Sequence, residues 1–407
     1  MKQTLWTRNF TIITLGTTVS AIGGVAMGFA LSFVVFDQTG STLLTAAFAA
    51  VSSLPSLILP IAAAPWLDNF RRKPVIYGLD YASAILYGLF GLYLMGHLFS
   101  LPMYLLFSLL TGSIGAVYYL AYESLYPNLI PEGFAQKGYT VSGMIYPTVT
   151  MVVTPIASVL YDRVGLGVLC LAEAGLLLAA ATMETQLRVE ETRRTGGRFS
   201  LHDYIQDFRD GFSYLRREKG LLRIFSYMPI TQGVSEATEP LMRAYFRTAP
   251  HLDITMYALF TTAQFVGRTI GGILHYKVEI PPKNRFSLAY MVYVAYAAMD
   301  TVLLWLGFPL MLVNRAAVGF LGIQSATLRE SSVQSYLPDG MRAKINAVAN
   351  ALYVLMPTAL TLAAGALGEV MAYRLCVTLL SAAQIIPCYA IMWRGREDVK
   401  PIYNHKY

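Results

Sequence analysis

The stretch 81–122 reads YASAILYGLFGLYLMGHLFSLPMYLLFSLLTGSIGAVYYLAY, and its 42 residues include no Asp, Glu, Lys or Arg. A helix needs about 20 apolar residues to cross the hydrocarbon core of a bilayer. The stretch is therefore long enough for parts of two helices, and Ser100-Leu101-Pro102 predicts the break between them. Two apolar helices joined by a short turn are typical of a protein that crosses a membrane several times.

The rest of the 407-residue chain has the same character, since 55% of its residues are hydrophobic and only 14% are charged. Ordinary soluble domains carry roughly 25% charged residues, so this composition excludes a soluble protein. The apolar stretches recur along the whole chain, which excludes a signal peptide or a single anchor. They are continuous rather than alternating, which excludes a transmembrane β-barrel. The predicted fold is an all-α polytopic membrane protein.

Outward from 81–122, stretches poor in charged residues predict twelve transmembrane helices in two groups of six. They lie within 9–36, 38–67, 81–122 (two helices), 138–161 and 164–183, and then at 221–244, 254–276, 286–306, 309–328, 345–368 and 375–393. We therefore expect an N-terminal six-helix bundle over 1–184, a cytoplasmic linker over 185–220, and a C-terminal six-helix bundle with a short cytoplasmic tail over 221–407.

The linker is the one sizeable aqueous segment of the sequence. Apolar residues recur in it at helical spacing between Leu201 and Leu215, which predicts an amphipathic helix on the inner membrane surface. The basic segment 193–198 before this helix fits either a flexible hinge near anionic headgroups or a plain solvated connector.

The distribution of basic residues predicts the orientation. With both termini in the cytoplasm, 25 of the 31 Lys and Arg residues lie on the cytoplasmic side, four lie in outer loops and two lie within helices. Such a bias sets the topology of membrane proteins. We therefore expect a multi-pass protein of the cytoplasmic (inner) membrane with both termini cytoplasmic. The net charge of +7 is a topology signal rather than a nucleic-acid surface.

The two halves of the chain are related by an internal duplication. A shift of 207 residues superimposes them without a gap over a long segment. It pairs Pro102 with Pro309, Gly112 with Gly319, Gly115 with Gly322, Glu123 with Glu330, Lys137 with Lys344 and Tyr146 with Tyr353. Parallel repeats of this kind hold a solute site near the bilayer midplane and open alternately to each side. The duplication therefore favours a transporter that works by alternating access.

The loop between the second and third predicted helices carries a motif. It reads APWLDNFRRK over 64–73 and resembles the Gly-x-x-x-Asp-(Arg/Lys)-x-Gly-(Arg/Lys)-(Arg/Lys) motif of the major facilitator superfamily, with both glycines replaced. The resemblance covers essentially the full chain and implies the major facilitator fold of two pseudo-symmetric six-helix bundles. It also implies that Asp68, Arg72 and Lys73 hold the inner ends of helices together when the cytoplasmic side is closed.

Three further segments, 126–132, 207–215 and 267–272, resemble the bacterial macrolide-efflux and enterobactin-exporter branch of this family. That branch exports bulky amphipathic compounds, typically by proton antiport. The resemblance implies proton-coupled efflux of a small amphipathic organic molecule, with the proton gradient as energy source and no cofactor. The implied partners are the solute, protons and the lipid bilayer, and we expect a monomer that binds no nucleic acid. Open alternatives are an importer or flippase-like carrier of a lipid- or peptide-like solute, or a membrane sensor that no longer transports.

Seven ionisable residues lie within predicted helices, where each costs at least a few kcal/mol and marks a candidate functional site. They are Asp80, Glu173, Glu236, Glu239, Arg268, Asp300 and Arg315. Asp80 and Arg268 lie in the inner halves of their helices, so we expect them to support the inner gate together with the motif. Glu173, on the sixth helix, is left without an assigned role.

Glu236 and Glu239 lie three residues apart on the seventh helix and therefore share a face. Two neighbouring carboxyl groups in a membrane interior are suited to carry protons near neutral pH. We predict that both couple protons to the solute, with an ion pair between Glu239 and Arg243 as the alternative. Pro229 and Pro240 flank them and predict a kinked or broken helix.

Arg315 and Asp300 lie at similar depths on the adjacent tenth and ninth helices, about 9 Å from the turn between them. Equal depth on antiparallel neighbours predicts an ion pair. Two alternatives stay open for Arg315. It pairs with Asp300 alone and fixes the packing, or it switches between Asp300 and Glu236 as part of a proton relay.

Aromatic and polar residues are candidates for the wall of the solute cavity, which the family arrangement surrounds with the first, fourth, seventh and tenth helices. Tyr118 and Tyr122 on the fourth helix face Phe29 and Phe33 on the first, and such rings offer stacking and cation–π surfaces. A tyrosine belt at the membrane interface is the alternative for the two tyrosines. Gln324 on the tenth helix adds a polar candidate, with bonding to a neighbouring helix as its alternative.

No pattern in the sequence indicates an enzyme. The sequence has no cluster of His, Asp or Ser near one interface, and no Gly-Lys-Ser/Thr loop to bind phosphate, which excludes ATP-driven pumping by this chain alone. Cys170, Cys376 and Cys388 lie in apolar stretches without the spacing of a metal site. None of the five histidines is placed for metal chelation, so we expect no metal and coupling through carboxylates.

Overall fold

The computed structural model describes residues 4–59, 71–96, 99–131, 134–189, 201–277 and 280–405. The chain divides into two compact units. The first unit contains Met1–Gly40 and Phe48–Phe199, and the second contains Ser41–Ala47 and Ser200–Tyr407. The segment predicted as a linker helix packs with the second unit, and so do the first residues of the second predicted helix.

The helices of the first half are α1 (Arg8–Thr39), α2 (Thr42–Ser53), α3 (Arg72–Gly96), α4 (Leu101–Leu125) and α5 (Ala135–Thr185). The predicted break near Pro102 is present, since Ser100 has an extended backbone and Pro102 lies in the first turn of α4. α5 holds both the fifth and the sixth predicted helices, and Gly165 separates them with a φ of 75° and a ψ of 172°. Glycine adopts this backbone without the steric cost that a Cβ imposes, so Gly165 fixes where the two arms of α5 meet.

The second half begins with the linker helix α6 (Leu201–Arg217). It continues through α7 (Lys219–Thr248), α8 (Ile254–Lys277), α9 (Pro282–Val302), α10 (Phe308–Tyr336), α11 (Asp339–Val370), α12 (Tyr373–Ala383) and α13 (Arg396–Tyr403). A short turn and a π-helix over Cys388–Trp393 extend α12. α7 runs without interruption through Pro229 and Pro240, so the break predicted there is absent. Membrane helices tolerate proline where neighbouring groups satisfy the freed backbone carbonyls.

Eight helical segments of the described chain are long and apolar enough to cross a membrane. They are α1 to α5, α9, α11 and α12 with its extension, and the two arms of α5 supply two crossings. α7, α8 and α10 are not among them, because they carry Glu236, Glu239, Arg268 and Arg315 together with other polar residues. With these three helices included, the structure accounts for the twelve predicted crossings. These three helices therefore hold four of the seven ionisable candidates, Glu236, Glu239, Arg268 and Arg315.

Glycines allow two pairs of helices to approach closely. A Cβ on Gly267 of α8 would lie 1.8 Å from the carbonyl oxygen of Ala316, and one on Gly319 of α10 would lie 2.0 Å from that of Gln264. In the first unit, a Cβ on Gly112 of α4 would lie 2.3 Å from the carbonyl oxygen of Ser52 on α2. Gly112 and Gly319 are partners in the duplication, so the repeat recurs as the same type of helix contact in each unit.

The linker helix α6 docks on the second unit through one face. The Nζ atom of Lys344 lies 2.8 Å from Asp207 Oδ1 and 2.8 Å from Asp210 Oδ2. Leu215 is buried in the apolar core of that unit, whereas Ile205 and Phe212 are each 44% exposed. Contact of this exposed apolar pair with the inner membrane surface remains a prediction, and the basic segment 193–198 lies outside the described residues.

Candidate functional site

The predicted ion pair between α9 and α10 is present. Arg315 Nη1 lies 3.1 Å from Asp300 Oδ1, and both side chains are buried. Arg315 Nη2 also donates to Met242 Sδ at 3.1 Å, and the guanidinium lies 4.7 Å from the ring centroid of Phe260. Of the two alternatives for Arg315, the structure contains the ion pair with Asp300. The guanidinium also contacts Met242 and Phe260.

The two glutamates of α7 have different partners. Glu239 forms an ion pair with Arg243 one turn further along the helix, which is the alternative named for it. Glu236 is exposed and accepts a hydrogen bond from Gln232 Nε2 at 2.8 Å. Since Arg315 is held by Asp300, Met242 and Phe260, the predicted switch of Arg315 to Glu236 requires a rearrangement of this region.

A cavity of about 240 Å³ lies inside the second unit. Its polar lining comes from Thr231, Gln232 and Ser235 on α7, Gln264 and Arg268 on α8, Tyr293 and Tyr296 on α9, Ser325 and Arg329 on α10 and Tyr353 on α11. Two guanidinium groups thus line the same cavity, and its described lining includes no carboxylate. Arg268, predicted to support the inner gate, lines this cavity, and its role at the gate stays a prediction.

Arg329 is the charged cavity residue that the sequence did not single out. Its Nη1 atom donates to Met228 Sδ at 3.2 Å, and its charge interacts with Tyr293, Tyr353 and Tyr403. The tenth predicted helix ends at Leu328 because Arg329 and Glu330 follow it in the sequence, but α10 continues to Tyr336. The duplication offered a signal, since the shift of 207 residues pairs Arg329 with the cavity candidate Tyr122.

The Gln324 side chain forms hydrogen bonds to a neighbouring helix, which is the alternative to a place in the cavity wall. Its Nε2 atom donates to the carbonyl oxygen of Gly271 at 2.7 Å, and its Oε1 atom lies 2.6 Å from His275 Nδ1. Both partners are on α8, so the Gln324 side chain is used for packing between α8 and α10. His275, expected at a helix end without a role, is part of this contact.

The aromatic candidates of the first unit are turned toward its interior. The Tyr118 hydroxyl donates to Glu184 Oε1 at 3.0 Å, and Tyr122 is buried and accepts a hydrogen bond from Thr17 Oγ1 at 3.3 Å. Phe33 has no exposed surface, and its ring lies 5.2 Å from that of Phe29. These side chains offer little surface to a solute in this conformation, so their place in the cavity wall remains a prediction.

The inner-gate candidates are only partly described. Asp68 lies outside the described residues, and Arg72 and Lys73 form the first turn of α3. Asp80 is buried on α3, and its Oδ2 atom has no hydrogen-bond partner in the described part of the chain. Glu173 and Glu184 on α5 are buried as well, so the first unit holds three buried carboxyl groups. Glu184 was missed for the same reason as Arg329, because the sixth predicted helix ends at Met183.

Comparisons with known proteins agree with this architecture. The family model of the Major Facilitator Superfamily matches residues 13–396. Macrolide efflux protein A of Streptococcus pyogenes is 26% identical over 295 residues, which cover 67% of this chain and 67% of that protein.

Solved structures show the same fold at low sequence identity. The crystal structure of the nucleoside transporter NupG has a TM-score of 0.69 at 10% identity, and the match covers 95% of this chain and 99% of that chain. A bacterial homologue of the iron transporter ferroportin in its inward-facing state has a TM-score of 0.66 at 16% identity, over 99% of this chain and 100% of that chain. At these identities the two structures establish the fold alone.

Proposed function

Because the chain belongs to the major facilitator superfamily and is a transporter rather than an enzyme, we propose that it exports a small amphipathic organic molecule by proton antiport. The protein is a multi-pass membrane protein. We further propose that both termini lie in the cytoplasm, that it works as a monomer, and that the bundles over 1–184 and 221–407 move relative to each other around the solute.

The cavity of the second unit is the observation that carries the solute-binding part of this proposal. Polar and charged groups within a membrane protein are costly and mark solute or ion pathways. Arg268 and Arg329 donate several hydrogen bonds each, and Tyr293, Tyr296 and Tyr353 add aromatic surface. These groups suit a solute with oxygen acceptors on an apolar frame. A volume of about 240 Å³ is below that of a site for a whole drug-sized molecule, so the cavity receives one portion of a larger solute.

Similarity to the macrolide efflux protein supports export and suggests the first solute to test. A macrolide is a large ring that combines apolar surface with many oxygen acceptors, as the cavity requires. For coupling, we propose Glu236 as the carboxyl group that takes up and releases protons, with Glu239 beside it. The Glu236 side chain is exposed, whereas the Asp300–Arg315 pair is buried and joins two of the helices that line the cavity.

Flux into proteoliposomes tests this function. Purified protein is reconstituted, a pH gradient is imposed across the membrane, and uptake of a radiolabelled macrolide is followed with and without the gradient. We expect gradient-driven uptake in the parent protein and its loss in Glu236→Gln, which removes the titratable group and keeps the shape of the side chain.

A matched control is Glu330→Gln, because Glu330 is also exposed and also accepts a hydrogen bond from a glutamine one turn away. Uptake should survive this change. A parent protein that binds the macrolide but never moves it would point instead to a sensor, and gradient-driven uptake in Glu236→Gln would remove that residue from coupling.

A further inference from the structure

Three carboxyl groups are buried inside the first unit, and no cation from the residues that the structure describes pairs with them. Asp80 on α3 is 5% exposed, Glu173 on α5 is 3% exposed and Glu184 on α5 is fully buried. One oxygen of each group, Oδ2 of Asp80 and Oε2 of both glutamates, has no hydrogen-bond partner in the described part of the chain. Buried polar atoms are almost always hydrogen-bonded, so three such atoms in one unit require an explanation.

The three groups lie along one seam of the unit. Glu173 and Glu184 are eleven residues apart, so three turns of helix place them on one face of α5, about 16 Å from each other along the axis. Asp80 interacts electrostatically with both. The seam thus holds a series of carboxyl groups and not a single pair.

Helix α1 closes this seam with glycines. A Cβ on Gly23 would lie 1.5 Å from Glu173 Oε2, and a Cβ on Gly16 would lie 3.6 Å from Glu184 Cγ. The absence of a side chain at Gly23 is therefore what leaves room for the Glu173 carboxyl group. Any larger residue there would displace the carboxyl group or separate α1 from α5.

In the described part of the chain, no basic side chain compensates the carboxyl groups. The other titratable side chains that interact with them are Tyr87 on α3, Tyr118 on α4, and Tyr146 and Cys170 on α5. Among the described residues, no Lys, Arg or His forms an ion pair with them, and no group of ligands suited to a metal ion is present. An ionised carboxylate in such surroundings is so costly that it binds a proton instead.

We propose that Asp80, Glu173 and Glu184 form a proton-binding site inside the first unit, loaded with protons while α1 is packed against α5. Ionisation of these groups requires water, and water enters the seam only when α1 moves away from α5. Loss of the protons is therefore linked to movement of α1, which the family arrangement places beside the solute cavity. That the three carboxyl groups bind protons follows from their burial alone. That these protons take part in transport rests on the proposed antiport.

Infrared spectroscopy of the purified full chain in detergent micelles tests the site. A protonated carboxyl group has its own C=O stretching band, which shifts when H₂O is replaced by D₂O. We expect this band at neutral pH in the parent protein and its loss in the triple variant Asp80→Asn, Glu173→Gln, Glu184→Gln. The control Glu123→Gln changes an exposed carboxylate at the end of α4 and should leave the band intact.

Three single variants keep the test decisive if the triple variant fails to fold, since each should remove part of the band. A parent protein without the band, or a band that persists at full size in the variants, would overturn the proposal. A second comparison uses neighbouring glycines. Gly23→Ala should shift the band of Glu173, whereas Gly24→Ala should not, because a Cβ on Gly24 would meet no atom of the described chain within 4 Å.

The same samples separate this proposal from the proposed function. The band without gradient-driven macrolide uptake would support the proton site and contradict the antiport. Uptake without the band would contradict the proton site and leave the antiport intact.

Discussion

Arg315 of α10 and Asp300 of α9 form a buried ion pair in which Arg315 Nη1 lies 3.1 Å from Asp300 Oδ1. The pair joins two helices that directly follow each other in the chain and that both line the cavity of the second unit. Removing one partner leaves the other as an uncompensated buried charge, which costs about 3–5 kcal/mol. We therefore expect Asp300→Asn to lower the unfolding midpoint of the purified protein strongly.

The double variant Asp300→Leu, Arg315→Met serves as its comparison, because it replaces both charges with apolar groups of similar size. It should be more stable than Asp300→Asn, since replacing a whole buried pair is often close to neutral. We also expect it to keep the pH dependence of macrolide uptake. Loss of that pH dependence in a stable double variant would show that Arg315 takes part in proton transfer.

A second prediction concerns the contact between α8 and α10. Gly267→Ala would bring a Cβ to 1.8 Å from the carbonyl oxygen of Ala316, so the helices must separate and the protein should lose stability and solute binding. Gly272→Ala on the same helix meets only Ile323 Cγ1, at 3.9 Å. Because alanine is favoured over glycine inside a helix by about 0.5–1 kcal/mol, Gly272→Ala should be neutral or stabilising. Equal thermal unfolding of the two variants would contradict the close packing described for α8 and α10.

A third prediction addresses the cavity. Arg329→Gln should abolish the rise in thermal unfolding midpoint that a bound macrolide produces, since a ligand that binds the folded state stabilises it by an amount that grows with the logarithm of its affinity. Arg268→Gln should weaken the rise. Arg209→Gln, on the exposed surface of α6, should leave it unchanged. A full rise in Arg329→Gln would place the macrolide outside this cavity.

A fourth prediction follows from the docking of α6. The hydrogen bond from Lys344 holds the pKa of Asp210 below its ordinary value, and the hydrogen bond from Gln206 acts in the same direction. A carboxyl group with a lowered pKa stabilises the docked helix above its pKa in the undocked state, and that stabilisation is lost as pH falls through the lower value in the docked state. Free aspartate titrates near pH 3.9, so docking should be constant from about pH 8 to 5 and should weaken only below about pH 4.

Hydrogen exchange of the α6 backbone measures this docking. Lys344→Met should raise the exchange rate at neutral pH, because it removes the cation that both Asp207 and Asp210 contact. Lys219→Met, in the exposed first turn of α7, is the control. If docking of α6 in the parent protein were already weaker at pH 6 than at neutral pH, its pH dependence could not come from protonation of Asp210.

Local patterns in the sequence predict much of the fold. The charge-free stretch 81–122 gives two helices with a break at Pro102, and the gap between the fifth and sixth predicted helices, at 162–163, lies just before Gly165. The pairing of Arg315 with Asp300 followed from equal depth on adjacent helices, which needs only the helical rise. These features depend on positions along single helices, which a sequence displays directly.

Features that depend on how helices cross were not predicted. The partner of Gln324 is set by the close approach of α8 and α10, and neither helix reveals this approach through its own periodicity. Arg329 and Glu184 were missed because the tenth and sixth predicted helices were ended immediately before these two charged residues. A buried helix continues past such a residue when a cavity or a hydrogen bond accommodates the polar side chain, as the Tyr118 hydroxyl does for Glu184.

Proton movement during transport tests the central claim of proton antiport most directly. Proteoliposomes are loaded with a macrolide and a pH-sensitive dye, the membrane potential is clamped, and the internal pH is followed as the macrolide flows out down its concentration gradient. Antiport predicts that the interior becomes more acidic as the macrolide leaves, and that Glu236→Gln shows no such change. Macrolide efflux through the parent protein at constant internal pH would contradict the account.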